Sequence, residues 1–412
     1  MYKLIIKKQP IRNYMLAGGI SRLGDVLAGM AFLFLAYELT ESTLLTSVMA
    51  MAETVPYLLF GLVGGAIADV WPTKKLLIFS DMVRIPLALA VVLLYEIDLL
   101  YYPTLLVISF LIQSVSCFFN PAHRLVLPQI TNLSERTAAN SLYDTLTRGV
   151  TVLSPILSIW LIDTFGFVHF FTVDAITYAV SAVLIYNIPI HKKTQRGFFS
   201  LQMIHAHIRE FANWSMSYAV LKRLFLSTFV IVLLNTWVWD VGLLLALNEM
   251  SQQPEKIYTT LQGVYGITVI LTNILIPFFF RKMSLKTYFT GTIIWGVGLT
   301  YYALLYDIQH FFIGVIIVGI GLPLAGLTRV YLLQTIVPED KLGRAFSFNA
   351  VLLYLANTMA LFIFGFLATL FSVQLIMIVN GVLILIVSIL GLLHAFVLSS
   401  KHSRRFMVNL SK

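Results

Sequence analysis

Charged residues are scarce in this chain of 412 residues, because Asp, Glu, Lys and Arg together make up only 11% of it. Soluble domains carry about 25% charged and roughly 45–50% apolar residues, whereas 59% of this chain is hydrophobic. So much apolar surface cannot be hidden in the core of a water-soluble domain. The composition therefore indicates a polytopic membrane protein whose first partner is the lipid bilayer.

Cysteine is nearly absent, since Cys117 is the only one in the chain. A single thiol excludes an internal disulfide and any metal site built from cysteines. The sequence also lacks the Gly-x4-Gly-Lys-Ser/Thr loop that binds nucleotide phosphates, so we do not expect ATP to be the direct energy source. No Ser-His-Asp or metal-ligand spacing stands out. We therefore predict that the protein is not an enzyme and needs no cofactor or metal.

The net charge of +9 is dispersed over short breaks between apolar runs. This dispersion is typical of membrane topology, and it argues against a nucleic-acid partner. If the N-terminus is inside, the inner segments hold most of the Lys and Arg residues, and the outer loops hold Lys256 and a set of acids. The asymmetry predicts that both termini are cytoplasmic. The short basic N-terminus has no cleavage site after it, so the first span is expected to be a retained anchor in the cell membrane.

Apolar runs long enough to cross a bilayer, about 20 residues each, predict an all-α protein. The twelve predicted spans lie at about 13–39, 43–69, 75–96, 102–127, 138–161, 166–189, 219–247, 257–280, 285–306, 309–336, 343–368 and 372–398.

The spans divide into two sets of six. We predict an N-terminal six-helix bundle at 1–189, a cytoplasmic linker at 190–217, a C-terminal six-helix bundle at 218–398 and a cytoplasmic tail at 399–412. The linker places Leu201, Ile204, Ile208 and Phe211 on one helical face, which predicts a short amphipathic helix on the inner membrane surface. Two matched halves are typical of transporters built from parallel repeats.

Charged residues inside the spans are costly in lipid and are therefore candidate functional residues. Three acid–base pairs are spaced three or four residues apart, so the partners share a helix face. They are Arg22/Asp25 in span one, Asp81/Arg84 in span three and Asp144/Arg148 in span five. A structural ion pair is the alternative for Arg22/Asp25, and Asp144/Arg148 could either line a cavity or tie helices together.

Other charges have no obvious local partner: Glu53, Asp174, Asp240 and Arg329. Desolvation raises the pKa of a buried carboxyl group towards neutrality, so Asp25 and Glu53 are our candidates for reversible protonation. Asp240 lies beside Trp237 and Trp239. This combination would suit an organic cation, although an interfacial residue in an aromatic belt is an equal alternative.

The loop after span two contains Gly65, Asp69 and Lys74, with Val70, Pro72 and Thr73 between the last two. A glycine followed by an aspartate four residues later and then by basic residues resembles the signature of the major facilitator superfamily. Val70, Pro72 and Thr73 depart from the residues usual there. In that family the element holds the two halves together in the outward-facing state. The resemblance therefore implies gating roles for Gly65, Asp69 and Lys74, and we add Asp81, Arg84 and Arg344 to this predicted gate.

Further stretches resemble one branch of the family, the bacterial efflux carriers that include macrolide and siderophore exporters. They are Ser21–Asp25, Pro56–Gly61, Asp81–Arg84, Asn120–Ala122, Ala139–Ser141 and Pro338–Arg344. The glycine-proline pair that is usual in span five of exporters is replaced by Ser154-Pro155. A kinked face of small residues is retained there.

The resemblance implies twelve helices in two bundles that alternate access to a central site. We predict a monomeric transporter that exports an amphipathic small molecule, such as a drug, antibiotic or natural product, in exchange for protons. One alternative is an importer or uniporter of a polar metabolite, and another is a lysophospholipid-type flippase. A third is a membrane sensor that transports nothing.

Overall fold

A computed structural model gives the structure of the protein and describes the backbone of residues 2–190 and 201–410. Within these residues the secondary structure is helical and contains no strand. The helices are α1 (Tyr2–Lys7), α2 (Gln9–Thr40), α3 (Thr43–Val70), α4 (Thr73–Glu96), α5 (Tyr102–Ile130), α6 (Leu133–Phe165), α7 (His169–Tyr186), α8 (Leu201–Ser217), α9 (Ala219–Trp237), α10 (Leu243–Met250), α11 (Pro254–Phe279), α12 (Leu285–Leu304), α13 (Ile308–Ile336), α14 (Leu342–Leu367) and α15 (Val373–Leu410).

Ten helical segments of the described chain are long and apolar enough to cross a membrane, counting Ala219–Met250 as one. A π-helical turn, Val238–Gly242, joins α9 to α10 within that segment. Helices α6 and α12 have 33 and 20 residues and bring the long helices of the described chain to twelve. The predicted all-α membrane architecture is confirmed, and the helices are consistent with the predicted twelve spans.

Polar residues mark the ends of the helices. Helix α2 ends where Glu41 adopts a left-handed φ of 49°, and the Ser42 side chain then accepts a hydrogen bond from the Leu45 amide at 3.3 Å to begin α3. Helix α6 begins at a capping box, in which the Glu135 carboxylate accepts a hydrogen bond from the Asn132 amide at 3.2 Å. Such caps satisfy backbone groups that have no partner within the helix.

Two compact units make up the structure. The first comprises Met1–Trp214 and Leu333–Tyr354, and the second comprises Ser215–Leu332 and Leu355–Lys412. In the first unit the apolar core lies between α2, α4, α5 and α7. In the second it is formed mainly by the π-turn region, α12, α13 and α15.

This division differs from the predicted six-and-six division because the segment Leu333–Tyr354 packs with the first unit. A helix, Leu201–Ser217, lies within the predicted linker, and its place on the inner membrane surface stays a prediction. Several predicted features lie outside the described residues: linker residues 191–200, the side chains of Leu201 and Ile204, and the side chains of the tail beyond 395.

Candidate functional site

Helices α2, α4 and α7 bring charged side chains together inside the first unit. We call Asp25, Asp81, Arg84, Asp174 and Tyr178 the carboxylate cluster. Arg84 is only 1% exposed and forms an ion pair with the Asp81 carboxylate, which is itself fully buried. Arg84 Nη1 also lies 3.9 Å from Asp25 Oδ1. The guanidinium therefore links the carboxylates of two helices, α2 and α4.

The position of Arg84 is fixed by several further contacts. Its guanidinium lies 4.1 Å from the Tyr178 ring centroid and 4.4 Å from that of Phe119. Its Nη1 donates a long hydrogen bond of 3.5 Å to Ser116 Oγ. Cation–π contacts of this kind are strongest where water is excluded. Arg84 is thus a fixed positive charge among three carboxyl groups, so the cluster would carry a net negative charge if every carboxyl group were ionised.

Asp25 is the accessible member of this cluster. Its side chain is 35% exposed, and its Oδ1 accepts a hydrogen bond from the Tyr178 hydroxyl at 2.9 Å. Arg22, its predicted partner, is exposed and forms no ion pair with Asp25 in the described structure. The close partners of Asp25 come from other helices: Tyr178 from α7, which packs along α2, and Arg84 from α4.

Asp174 on α7 is fully buried beside α2. Its Oδ1 accepts a weak hydrogen bond from Thr177 at 3.5 Å, and its Oδ2 has no hydrogen-bond partner in the described structure. A Cβ atom built on Gly24 would lie 2.3 Å from Asp174 Oδ1 and 2.2 Å from Thr177 Oγ1. Glycine at position 24 therefore allows α2 to approach α7 closely enough to cover Asp174.

A second polar network in the first unit joins the end of α3 to the start of α14. Both carboxylate oxygens of Asp69 are used: one accepts a hydrogen bond from the Gly343 amide, and Oδ2 accepts from the Arg344 amide at 3.0 Å and from Arg344 Nε at 2.9 Å. We call Asp69, Gly343 and Arg344 the inner latch. A carboxylate at a helix N-terminus satisfies free amides and complements the helix dipole.

The inner latch extends to the linker helix α8. Arg344 Nη1 donates to the His207 carbonyl at 3.0 Å and lies 3.6 Å from Glu210 Oε2. Lys341 forms an ion pair with Glu210 as well. The Lys341 hydrogen bond is the main cause that lowers the pKa of Glu210 below its ordinary value. Glu210 is therefore held ionised beside the latch.

The inner latch lies beside a close helix contact at a glycine and a pair of side-chain amides that are hydrogen-bonded to each other. A Cβ atom on Gly65 would lie 2.5 Å from Ser347 Cβ and 2.7 Å from the Gly343 carbonyl oxygen, so α3 and α14 meet at a glycine. Arg136 Nη1 donates to the Gln334 carbonyl at 2.6 Å, and the Asn140 and Gln334 side-chain amides bond to each other at 2.6 and 3.3 Å. Segment 333–354 is thus held to the rest of the first unit at two places.

The other predicted site residues lie elsewhere. Asp144 and Arg148 form the predicted pair at 2.7 Å, and both are about one-third exposed. Lys74 donates to the Ile188 carbonyl at 3.1 Å, at the end of α7 rather than at Asp69. Asp81 and Arg84 form an ion pair within the carboxylate cluster, whereas the sequence pattern predicts that they belong to the gate.

Asp240 lies in the π-helical turn of the second unit and is exposed. Its neighbour Trp239 packs against Tyr265 with ring centroids 4.4 Å apart, whereas Trp237 is buried against Phe364. The side chain of Glu53 lies outside the described residues. Its predicted role in proton coupling stays a prediction.

Sequence reasoning missed Tyr178 entirely and gave Asp174 no role. A signal was present, because the two residues are four positions apart and therefore share a face of one helix. The contact with Asp25 could not be read from this spacing, since it depends on how α7 packs against α2.

These features define an all-helical membrane transporter fold, and comparison with known proteins gives the family. The family model of the Major Facilitator Superfamily matches residues 14–284, so the chain belongs to this superfamily of transporters. A relative from Bacillus subtilis (strain 168), the uncharacterized MFS-type transporter YfiS, is 25% identical over 413 residues. The match covers 95% of this chain and 94% of the relative.

Solved structures agree on the fold. A bacterial homologue of the iron transporter ferroportin, in an outward-facing state, gives a TM-score of 0.77 at 15% identity and covers 92% of this chain and 98% of its own. The human organic anion transporter MFSD10 gives 0.72 at 11% identity, with 93% and 99% covered. FucP in the outward conformation gives 0.71 at 13% identity, with 93% and 98% covered.

Proposed function

We propose that this transporter exports an amphipathic small molecule, such as a drug, antibiotic or natural product, in exchange for protons. One observation carries the proton coupling: Asp25 is the accessible member of a cluster that holds three carboxyl groups against one buried arginine. A carboxyl group in such surroundings is suited to gaining and losing a proton as access changes. The resemblance of the span-one and span-three motifs to efflux carriers supports the outward direction.

In the proposed cycle, a proton from outside binds Asp25 and the substrate is released. Release of that proton to the cytoplasm resets Asp25 for the next substrate. Glu53, which was predicted together with Asp25, is the second candidate for this step. The two six-helix halves would alternate access by rocking, as transporters built from repeats do.

The inner latch is the proposed gate of this cycle. Asp69 bonds two amides and one guanidinium nitrogen at the start of α14, so breaking the latch requires several charged or polar groups to be released together. Charge-assisted bonds of this kind are stronger than neutral ones. The strong excess of Lys and Arg in one set of loops supports a cell-membrane orientation with both termini cytoplasmic. We propose that the carrier works as a monomer.

The test of proton coupling uses inside-out membrane vesicles that hold an acidic interior. Lipophilic dyes and antibiotics are added one at a time, and dissipation of the gradient is recorded for the native protein and for Asp25→Asn. We expect substrate-induced dissipation by the native protein and none by Asp25→Asn, because an amide cannot exchange the proton.

The matched control is Asp98→Asn. Asp98 is exposed in a loop and has a left-handed φ of 54°, which asparagine adopts readily. At equal amounts in the membrane, Asp98→Asn should show the same substrate-induced dissipation as the native protein. Undiminished dissipation by Asp25→Asn would exclude Asp25 as the coupling residue, and no response to any compound would exclude these substrates.

A further inference from the structure

The described structure gives Asp174 no cation within ion-pair distance, although Arg84 acts on it from farther away. Arg84 is the cation of the carboxylate cluster, and its ion pairs within 4.0 Å go to Asp81 and Asp25. Within the described residues, Asp174 has no ion pair, and its Oδ2 has no hydrogen bond. An isolated ionised carboxylate in such a site is far costlier than a neutral acid. Asp174 is therefore expected to hold a proton in this conformation.

Tyr178 lies between Asp174 and Asp25. It is four residues after Asp174 on α7, so the two side chains share a helix face and interact. Its hydroxyl group donates to Asp25 Oδ1 at 2.9 Å. The guanidinium of Arg84, 4.1 Å from the ring centroid, holds the ring in place. The hydroxyl oxygen of Tyr178 still has lone pairs that can accept a proton.

The charged and titratable groups around Asp174 come from each helix that packs closely on it. Asp25 approaches from α2, Arg84 approaches from α4, where it is paired with Asp81, and Tyr178 is on α7 itself. Of the carboxyl groups, only Asp25 is substantially exposed, since Asp81 and Asp174 are fully buried. A proton on Asp174 therefore has one short route towards solvent, which passes through Tyr178 to Asp25.

We propose that Asp174, Tyr178 and Asp25 form a proton relay in which Asp174 stores the coupling proton. The step is balanced: the Asp174 carboxyl group gives its proton to the Tyr178 oxygen while the Tyr178 hydroxyl group gives its own proton to Asp25. Tyr178 stays neutral, and one negative charge moves from Asp25 to Asp174. This inference rests on the proposed proton coupling and adds to it a storage residue that substrate does not reach.

The relay frees the Asp25 carboxylate while the protein still holds the coupling proton. Asp25 can bind a proton from the cavity and pass it to Asp174, so that its own carboxylate is free again while the proton stays in the protein. Arg84 lies close to Asp25 and offsets the charge that remains there. The proton that released the substrate is then held on Asp174 until it returns through Tyr178 to Asp25 and leaves to the cytoplasm.

The test of the relay is Tyr178→Phe in the vesicle assay. This change removes the hydroxyl group but keeps the ring over Arg84, so the packing is retained. We expect substrate-induced proton flux to fall roughly tenfold or more, because a positioned proton-transfer group contributes at least that much, while the concentration of substrate that gives half the maximal rate stays unchanged. Tyr302→Phe is the control, because Tyr302 is a buried tyrosine of the second unit.

Infrared spectroscopy supplies a second measurement that does not depend on transport. At neutral pH the native protein should show the carbonyl stretching band of a buried protonated carboxylic acid. Asp174→Asn should lose this band, and Asp98→Asn should keep it. A band that is absent from the native protein, or unchanged in Asp174→Asn, would overturn the storage role of Asp174.

The outcomes separate the relay from the proposed function. If Tyr178→Phe transports as the native protein does while Asp25→Asn is inactive, the relay is wrong and proton coupling at Asp25 stands. If Asp25→Asn also transports normally, the proposed coupling itself fails. If Tyr178→Phe does not accumulate in the membrane, the infrared comparison decides.

Discussion

Single residues decide whether the carboxylate cluster can form. Gly24 allows α2 to approach Asp174, and Arg84 supplies the positive charge that several acids need. Removing one partner of a buried ion pair leaves the other charge without compensation, which costs about 3–5 kcal/mol. The cluster therefore depends on the absence of a side chain at position 24 as well as on the charges.

Gly24→Ala tests this point at the residue scale. The added methyl group would overlap Asp174 and Thr177, so we expect destabilisation of about 1–3 kcal/mol and loss of proton coupling. The measurement is the midpoint of thermal unfolding in detergent, read by tryptophan fluorescence. Gly149→Ala is the matched control, since nothing lies within 4 Å of a Cβ atom built there.

Gly24→Ala should lower the unfolding midpoint, whereas Gly149→Ala should not. Alanine is favoured over glycine inside a helix by roughly 0.5–1 kcal/mol, so Gly149→Ala should be neutral or slightly stabilising. An equal shift of the unfolding midpoint in both variants would show that the close contact of Gly24 with α7 does not contribute to stability.

At the scale of elements, the pairing of α3 with the first part of α14 organises the latch. Three positions of α3 at intervals of four residues meet α14: Gly61 packs on Val351, Gly65 on Ser347 and Asp69 on Gly343. Residues four apart lie on one face of a helix, so a single face of α3 contacts α14 along several turns. Asp69 ends this face and caps the start of α14.

The latch prediction compares Asp69→Asn with Asp69→Ala. Asparagine can still accept hydrogen bonds from the amides of α14, since it caps helices as well as aspartate does, but it loses the charge interaction with Arg344. Alanine loses both. We expect the unfolding midpoint to fall in the order native, Asp69→Asn, Asp69→Ala, with the last costing about 3 kcal/mol or more.

The control for the latch is Asp163→Ala, at an exposed aspartate in the last turn of α6. Alanine there removes a negative charge from a helix C-terminus and should cost nothing. If Asp69→Ala unfolds at the same temperature as Asp163→Ala, the latch contributes no stability, and its proposed gating role loses its basis.

At the scale of the whole molecule, α13 and α14 each belong in part to both compact units. The boundaries fall at Leu333 in α13 and after Tyr354 in α14. The contacts of Arg136 with Gln334 and of Asp69 with Arg344 explain this division. A movement that releases segment 333–354 would therefore have to break both sets of contacts.

The proposed orientation is tested by single cysteines. Cys117 is only 1% exposed and can be replaced by serine to give a cysteine-free background. In intact cells we expect Asp98→Cys to react with a membrane-impermeant maleimide and Glu339→Cys to react only after permeabilisation. Both positions are exposed, so access to the reagent depends on the side of the membrane. The reverse labelling pattern would invert the predicted topology.

The sequence by itself determined the architecture. Apolar runs predicted the spans because a helix in lipid must satisfy its backbone internally and present apolar side chains over a fixed length. The motif around Gly65 and Asp69 pointed to the family to which the chain belongs. In the structure, Asp69 of this motif accepts a hydrogen bond from the Gly343 amide at the start of α14. These are local signals, carried by residues close together in the chain.

Only the tertiary structure decided which charges are partners. Spacing within one helix paired Asp25 with Arg22, but packing turned Asp25 towards Tyr178 and Arg84 on two other helices. Spacing likewise could not show that Asp174 is fully buried or that Leu333–Tyr354 packs with the first unit. The physical reason is that helical periodicity fixes which residues share a face, whereas the neighbour of that face depends on the packing of distant segments.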